Sequence, residues 1–381
     1  MSSATTTLAP PDTADRSRFQ LGYQPALDGL RGVSILTVLL YHASDNLLPS
    51  GGFIGVDVFF CLSGFLITSL LVQEFDSTGT IRFKAFYLRR ILRLFPALVC
   101  MLLVYSLFIL LFFEFRAVTN YLTTAILALF YMVNWVRAFA LHPAGFLPNM
   151  AFLGHTWSLS IEEQFYVLWP PLLLLLLGNV KRSVLALSAA GVAVISWSVR
   201  YDLSISGATV NRLFNGLDTR ADALMLGCAL GVLVASNLLT GRMGAALRRG
   251  LRFATPVSVM GLAGVAAVAH WYDLWIYRWG FFIVAIFSAV VIIECVLNAD
   301  GILARLLSLQ PLVWMGVISY GLYLWHYPVY RIMRVYRVDQ AYVMTLGTLA
   351  AFAFTIASYY WVEKPFLRIK KKYETARQRV A

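Results

Sequence analysis

The chain has 381 residues, of which 60% are hydrophobic and only 13% are charged. Soluble domains carry roughly 25% charged residues, so the composition excludes a soluble globular protein and predicts an all-α, polytopic helical bundle in a membrane. The formal net charge of +12 does not indicate nucleic-acid binding, because many basic residues flank apolar runs, where the positive-inside rule accounts for them.

Runs of about 20 apolar residues, enough for a helix to cross a hydrocarbon core of about 30 Å, recur along nearly the whole chain. Basic clusters between some of these runs predict the cytoplasmic ends of the helices. The eleven apolar runs lie near 28–45, 53–72, 94–113, 119–136, 160–178, 182–199, 219–238, 253–271, 279–298, 311–331 and 343–362. The basic clusters lie at 82–93, 181–182, 242–252 and 364–372.

The number of crossings follows from these clusters. Three apolar runs lie between Arg93 and Lys181, where an even number of crossings is required. One of them, at 119–136 or within 153–178, is therefore expected to be re-entrant, tilted or short. The sequence predicts about ten transmembrane helices, with both termini in the cytoplasm.

The ends of the chain differ from this apolar body. Residues 1–24 lack the apolar core and cleavage site of a secretory signal, so we expect a disordered cytoplasmic tail. Residues 25–365 would form one transmembrane domain, and residues 366–381 a basic cytoplasmic tail. Four cysteines lie singly in apolar runs without metal-ligand spacing, which predicts buried thiols and neither disulfides nor a metal site. They are Cys61, Cys100, Cys228 and Cys295.

The first apolar run, LDGLRGVSILTVLLYHASD, contains three ionisable residues. Arg31 and His42 are eleven residues apart, which places them within about 20° of one helix face and about 16 Å apart along the axis. Asp28 precedes Arg31 by one turn, so a structural ion pair is at least as good an interpretation as a catalytic role. His42 is a candidate general base, because imidazole titrates near neutral pH and intramembrane ionisable residues are usually functional. A hydrogen-bonded histidine at the interface is the alternative.

The stretch FYLRRILRLFP, residues 86–96, places Arg90 and Arg93 one turn apart. Arginines at a cytoplasmic edge can simply fix topology and reach lipid phosphates. Two converging guanidinium groups can also bind a phosphorylated substrate through paired hydrogen bonds. The residues alone leave both interpretations open.

The stretch HTWSLSIEEQFYVLWP, residues 155–170, places Glu162 and Glu163 at the start of an apolar run, with Tyr166 one turn later. The dipole at a helix N-terminus favours acidic residues and explains one of the two glutamates. Carboxylates at this depth could instead orient His42 or counter the arginines.

In ISYGLYLWHYPV, residues 318–329, polar and aromatic residues form a stripe. Aromatic belts at membrane interfaces account for its tyrosines, whereas His326 is open between a functional role and an interfacial one. Elsewhere, Gly55 and Gly64 permit close helix packing around Asp57. The stripe consists of Ser319, Tyr320, Tyr323, His326 and Tyr327.

Three further charged residues lie at the start of the apolar run near 219–238. Asp218 and Asp222 flank Arg220 there, within one turn of helix on either side. We interpret these three neighbouring charges as a local charge cluster.

Taken together, these stretches resemble the acyltransferase family 3 membrane O-acyltransferases, known from acylation of bacterial surface polysaccharides and antibiotics. The resemblance covers nearly the whole chain, from Leu27 to Lys364. Some members carry an extracytoplasmic hydrolase-like domain, and we expect this chain to be a version without one. The Arg-x10-His signature, the paired-arginine signature, the Ser-Glu-Tyr stretch and the SYGLYLWHYP run fall on Arg31 and His42, on Arg90 and Arg93, on 158–166 and on 319–328.

The resemblance implies transfer of an acyl group, commonly acetyl, from cytoplasmic acyl-coenzyme A to a sugar hydroxyl at the bacterial inner membrane. His42 would be the base or a transiently acylated residue, Arg31 would stabilise the oxyanion, and Glu162 or Glu163 would orient the imidazole. The residues implied in donor or substrate binding are Arg90, Arg93, Asp28, Tyr166, Ser319, Tyr320 and His326. Acyl-coenzyme A enters as a substrate, and neither a tightly bound cofactor nor a metal ion is expected.

A proton-coupled transporter is the main competing interpretation, because buried His, Asp, Glu and Arg residues also form proton relays. The sequence shows no internal repeat of the inverted-repeat transporters, and arginines clustered at one edge suit a phosphorylated donor better. A non-catalytic membrane scaffold, the third class, would tolerate loss of His42 and Arg31. The expected partners are acyl-coenzyme A, a glycan or glycoside acceptor and membrane lipids, whereas the sequence specifies neither the acceptor nor the oligomeric state.

Overall fold

The computed structural model describes residues 21–45, 49–141 and 152–369. Within these residues the chain consists of helices and connecting turns without a β-strand, which confirms the all-α prediction. Most of the predicted N-terminal and C-terminal tails lies outside the described residues. The helices are α1 (Pro25–Ala43), α2 (Gly55–Thr78), α3 (Phe83–Phe112), α4 (Phe115–Leu129), α5 (Val133–Ala138), α6 (Trp157–Asn179), α7 (Arg182–Ile205), α8 (Val210–Asn215), α9 (Leu217–Ala235), α10 (Gly241–Val268), α11 (Phe281–Leu297), α12 (Ile302–Leu307), α13 (Gln310–Val317), α14 (Ser319–Val335), α15 (Gln340–Tyr342) and α16 (Thr348–Ser358).

Seven helical segments in the described part of the chain are long and apolar enough to cross a membrane. They contain α2, α3, α6, α7, α10 and α11, and the last runs from α15 through α16 to Ile369. Helices α1, α9 and α14 have 19, 19 and 17 residues and carry several ionisable side chains. Because a polar helix enclosed by apolar ones can also cross, these three bring the predicted count to about ten. That count stays a prediction.

The predicted helix at 119–136 is broken at Tyr131, whose φ of 54° lies in the left-handed region. Helix α4 is therefore only 15 residues long, too short to cross a hydrocarbon core that requires about 20 residues. The run within 153–178, in contrast, forms one long apolar helix at 154–179. The run that fails to span as one helix is thus the one at 119–136.

The predicted single helix at 311–331 is wrong, because the chain breaks at Ile318 between α13 and α14. Ser319 Oγ donates to the Gly316 carbonyl across 2.8 Å at this break. Gly316 packs directly on α1, where a Cβ atom would lie 1.8 Å from the Asp28 carbonyl oxygen. The break lets α13 lie against the start of α1 while α14 continues along the bundle.

Helices α2 and α9 approach closely through glycines, as expected for Gly64. A Cβ atom on Gly64 would lie 2.0 Å from the Leu224 carbonyl oxygen, and one on Gly227 would lie 2.1 Å from the Cys61 carbonyl oxygen. No side chain fits at these contacts. The four cysteines are free, and Cys61 lies buried beside this contact.

The predicted local charge cluster at the start of α9 is wrong. Arg220 donates to Asp57 on α2 across 2.7 Å, and both side chains are fully buried. Asp222 pairs with Arg200 on α7 at 2.6 Å, also fully buried, and Asp218 pairs with Arg212 on α8. The three charges of α9 therefore tie it to three other helices, and the two that are fully buried, Arg220 and Asp222, each have an opposite charge as partner.

Candidate active site

Two cavities lie at opposite ends of α1. Arg31, in the second turn of α1, lines a cavity of about 90 Å³, here called the arginine cavity. His42, in the last turn, lines a cavity of about 320 Å³, here called the histidine cavity. The first helix thus contributes one signature residue to each cavity, and about 16 Å of helix separates the two residues.

The arginine cavity collects most of the residues predicted to bind the donor. Helices α1, α3, α6 and α14 contribute them, although they are far apart in sequence. Their convergence could not be deduced from any one motif. The cavity is lined by Arg90, Arg93, Tyr166, Ser319 and Tyr320 of the residues predicted to bind donor or substrate, and by Arg31, Glu162 and Glu163 of those predicted to be catalytic.

Two side chains of this cavity are held by direct contacts. The Arg90 guanidinium lies over the Tyr166 ring, 3.2 Å from its centroid, a cation–π contact that fixes the guanidinium plane. Tyr166 Oη donates to Glu162 Oε1 across 2.8 Å, and Ser63 Oγ donates to the same oxygen. Glu162 therefore orients Tyr166, and Tyr166 in turn supports Arg90.

The glutamates do not orient His42. Among the described residues, no hydrogen bond joins Glu162 or Glu163 to the imidazole, and both glutamates line the arginine cavity. The alternative prediction, that they counter the arginines, agrees with this placement. Arg31 likewise lies in the other cavity from His42, so it cannot stabilise an oxyanion formed beside the imidazole.

Asp28 lines neither cavity. One of its oxygens lies 3.5 Å from Arg31 Nη1, which agrees with a structural ion pair at the start of α1. Its contribution to the site is to position Arg31, and a contact with substrate is not indicated.

His42 is oriented by another histidine. The Leu322 carbonyl can only accept, so His326 Nδ1 donates to it across 2.8 Å. His326 Nε2 of a neutral ring is then an acceptor, and His42 Nδ1 donates to it across 3.1 Å. His42 Nε2 consequently keeps its lone pair, which is the state a general base requires.

A third histidine joins this pair. His155 stacks on Tyr327 with ring centroids 4.7 Å apart, and its ring lies 5.7 Å from that of His326. Neither nitrogen of His155 has a hydrogen-bond partner among the described residues. The described chain contains no group of three or more His, Cys, Asp or Glu residues placed to hold a metal ion.

Tyr323 and Val56 line both cavities and separate them. The Tyr323 hydroxyl donates to the His155 carbonyl across 2.7 Å and lies 2.6 Å from Ser158 Oγ, which must therefore donate to it. Tyr323 is only 7% exposed, so it is not part of an aromatic belt as predicted. Its hydroxyl is held at the boundary between the two cavities.

The irregular segment around Tyr131 also connects the cavities. Tyr131 lines the arginine cavity, and Arg137, on α5, lines the histidine cavity. Gln164 Nε2 donates to the Tyr131 carbonyl across 2.7 Å and holds this turn against α6. Burial raises the pKa of the Tyr131 phenol above its ordinary value, so it is a neutral hydroxyl at physiological pH. Helix α4 thus leads to the arginine cavity at Tyr131 and α5 leads on to the histidine cavity at Arg137, an arrangement that agrees with the re-entrant segment predicted here.

Sequence reasoning missed several residues of the histidine cavity. Arg331 and Arg334 repeat the spacing of Arg90 and Arg93 at the other end of the bundle. Arginines at the helix end opposite the basic clusters are unexpected under the positive-inside rule. This unexpected position is the sequence feature that could have identified them. His155 gave no such signal, because only folding brings it to His326.

The helices, the cavities and the motifs that line them agree with a family of membrane-embedded acyltransferases, and the chain belongs to the acyltransferase 3 family. The model of this family, described as an acyltransferase domain, matches residues 24–363.

Curated relatives agree with this family. The chain is 34% identical to the peptidoglycan O-acetyltransferase OatA of Listeria monocytogenes over 356 residues, 92% of this chain and 56% of the relative. It is 33% identical to the O-acetyltransferase OatA of Staphylococcus aureus over 386 aligned residues, 95% of this chain and 60% of the relative. The chain therefore spans little more than half the length of these relatives. No solved structure matches it.

Proposed function

We propose that the protein is a membrane O-acetyltransferase that moves an acetyl group from cytoplasmic acetyl-coenzyme A to a hydroxyl of a surface glycan. The observation that carries the proposal is the pair of adjoining cavities. One offers three arginines, the other a neutral imidazole with a free lone pair, and Tyr323 stands between them. The names of the relatives, which are O-acetyltransferases, support the same reaction.

The arginine cavity is the proposed donor site. It lies at the end of the bundle that carries the basic segments 82–93 and 242–252, which face the cytoplasm under the positive-inside rule. Arg90 and Arg93 offer paired donors to the phosphates of coenzyme A at its mouth. The cavity volume of about 90 Å³ admits only a narrow chain, so the pantetheine arm and its thioester would enter and the nucleotide would stay outside.

His42 is the proposed base. Its Nε2 takes the proton of the acceptor hydroxyl while the hydroxyl oxygen attacks the thioester carbonyl. The new carbon–oxygen bond forms and the carbon–sulfur bond breaks, and the proton held by His42 passes to the departing thiolate. His326 positions the imidazole throughout. Transient acylation of His42 is the alternative route, in which the imidazole carries the acetyl group between the two cavities.

The acceptor would enter from the outer side. The histidine cavity lies at the end of α1 opposite the basic segments and has a volume of about 320 Å³, within the range of small-molecule sites. This placement suits a glycan outside a bacterial inner membrane, with both chain termini in the cytoplasm. The name of one relative, a peptidoglycan O-acetyltransferase, makes a peptidoglycan saccharide the first acceptor to try.

A proteoliposome assay tests the proposal against the proton-coupled transporter. Vesicles containing the protein receive acetyl-coenzyme A on one side and a soluble peptidoglycan fragment on the other, and ester-linked acetate on the fragment is measured. The proposal predicts acetylated fragment without net movement of intact acetyl-coenzyme A or of the fragment. Proton-driven movement of a solute without acetylated product would decide for the transporter.

A further inference from the structure

The histidine cavity has an excess of positive charge. Three arginines line it, and Asp45 is the single acidic residue among its lining residues. The two internal segments outside the described residues, 46–48 and 142–151, contain no Asp or Glu. The three arginines are Arg137, Arg331 and Arg334.

Arg334 is committed to the structure of the site. It lies 3.5 Å from Asp45 and donates to the backbone carbonyls of His42 and Ala43. Cationic side chains at a helix C-terminus satisfy its last carbonyls and complement its dipole. Arg334 therefore caps α1 and holds the turn that carries His42, which leaves it little capacity for a ligand.

Arg137 and Arg331 have no such compensation. Arg137 Nε donates to the neutral side chain of Asn215 across 3.2 Å. The Arg331 guanidinium makes no hydrogen bond or ion pair with any described residue, and its buried Nε has no partner. Neither arginine forms a salt bridge with a carboxylate in the described chain. Two guanidinium charges thus face one cavity without a counter-charge.

Such an arrangement is costly unless an anion completes it. A partly buried charge loses hydration, and an unpaired one recovers little of that free energy. Positive charge on the outer side also opposes the bias that sets membrane topology. Trp271 and Tyr327 line the same cavity, and their faces suit the apolar face of a sugar ring.

We propose that the histidine cavity binds its saccharide acceptor through an anionic group, a carboxylate or phosphate, held by Arg331 and Arg137. The sugar ring then lies against Trp271 and Tyr327, with one hydroxyl at His42. That the ligand is the acceptor of the reaction rests on the proposed function, whereas the anion site itself follows from the unpaired arginines.

Binding to the purified protein in nanodiscs of phosphatidylcholine tests the site without requiring turnover. The probes are the disaccharide of N-acetylglucosamine and N-acetylmuramic acid and the methyl ester of the same disaccharide, which differ by one charge. We expect the acid to bind about tenfold more tightly than the ester, the effect of a charge-assisted hydrogen-bonded pair. Equal affinity for acid and ester, or no binding of either, would overturn the proposal.

Variants then locate the effect. Arg331→Gln and Arg137→Gln are expected to remove the preference for the acid, and Arg331→Lys to retain part of it. Arg337→Gln is the matched control, because Arg337 follows the same helix, is exposed and does not line the cavity. A preference that survives in both glutamine variants would contradict the assignment.

Two further measurements distinguish a lipid phosphate from a saccharide anion, and the anion site from the proposed function. If phosphatidylglycerol in the nanodisc abolishes the preference for the acid at equal ionic strength, a lipid phosphate occupies the site and the saccharide proposal is wrong. Release of coenzyme A from acetyl-coenzyme A is measured in parallel. Absence of release with an intact preference for the acid would refute the proposed function and leave the anion site standing.

Discussion

At the scale of residues, the central feature is a chain of hydrogen bonds that ends in a usable lone pair. The Leu322 carbonyl fixes His326, and His326 fixes His42. The orienting group is an imidazole, so the whole pair is neutral in this tautomer and places no extra charge in the bundle. A neutral pair suits a buried site, because burial disfavours every uncompensated charge.

Replacing His326 by alanine is expected to lower kcat about a hundredfold, within the usual contribution of general base catalysis. The KM for acetyl-coenzyme A should change little, because His326 does not line the arginine cavity. Steady-state kinetics of coenzyme A release measure both constants. His270→Ala is the control, because His270 pairs with Asp273 and lines neither cavity. A raised KM with an unchanged kcat would contradict the positioning role.

Arg90→Ala and Arg93→Ala are expected to weaken binding of acetyl-coenzyme A about tenfold each, the value of a charge-assisted hydrogen bond. Equilibrium binding of the donor to the purified variants measures the effect. The neighbouring Arg89→Ala is the control, because Arg89 pairs with Glu74 and does not line the cavity. Unchanged donor affinity in Arg90→Ala and Arg93→Ala would leave them as topology residues only.

Much of the residue-level site could be predicted, because Arg31, His42, Arg90 and Arg93 stand out as charges in apolar runs. The partners could not be predicted. The contact between His42 and His326 spans 284 residues, and no local pattern encodes it. Without that contact, the sequence left open whether the glutamates orient His42 or counter the arginines.

At the scale of elements, the glycine contacts decide how the helices approach. A lipid environment gives no hydrophobic driving force between helices, so close backbone contact and buried polar pairs must supply it. Gly64 and Gly227 bring α2 and α9 together, and the Asp57–Arg220 pair joins the same two helices. These contacts place Val56 and Phe60 of α2 at the wall of the arginine cavity.

Gly227→Val should destabilise the protein, because its Cβ would lie 2.1 Å from the Cys61 carbonyl oxygen. We expect a loss of at least about 1–3 kcal/mol, the usual cost of overpacking, seen as a lower Tm in detergent. Gly191→Val on α7 is the matched control, because nothing lies within 4 Å of a Cβ there. Equal Tm values for the two variants would contradict close packing of α2 and α9.

The predictable part of the fold was its apolar helices, whose positions follow from hydrophobic runs. The number of apolar runs between Arg93 and Lys181 predicted an irregularity at 119–136 or within 153–178, but neither the position of the break at Tyr131 nor the break at Ile318 could be predicted, because no local sequence pattern marks them. The Gly316 contact with Asp28 is a tertiary contact at the second break.

At the scale of the whole molecule, the two cavities make the two ends of the helical bundle different. The arginine cavity shares its end with the basic segments, and the histidine cavity shares its end with exposed residues such as Tyr272. The positive-inside rule therefore predicts that the end with the arginine cavity faces the cytoplasm.

Single cysteines introduced at Tyr272 and Met243 test this orientation, because both side chains are more than half exposed. With the native cysteines replaced, a membrane-impermeant maleimide should label the Tyr272→Cys variant in intact spheroplasts. The Met243→Cys variant should label only after lysis. The reverse pattern would place the arginine cavity outside and remove acyl-coenzyme A as its ligand.

Acetyl transfer through His42 is the central claim, and radiolabelled acetyl-coenzyme A tests it most directly. Purified wild type, His42→Ala and His270→Ala proteins in lipid are incubated with the donor, with and without acceptor. Coenzyme A release and protein-bound label are then followed. We predict release or labelling in the wild type and in His270→Ala, and neither in folded His42→Ala. Equal turnover by His42→Ala, or none by folded wild type with any short-chain acyl-coenzyme A, would contradict the claim.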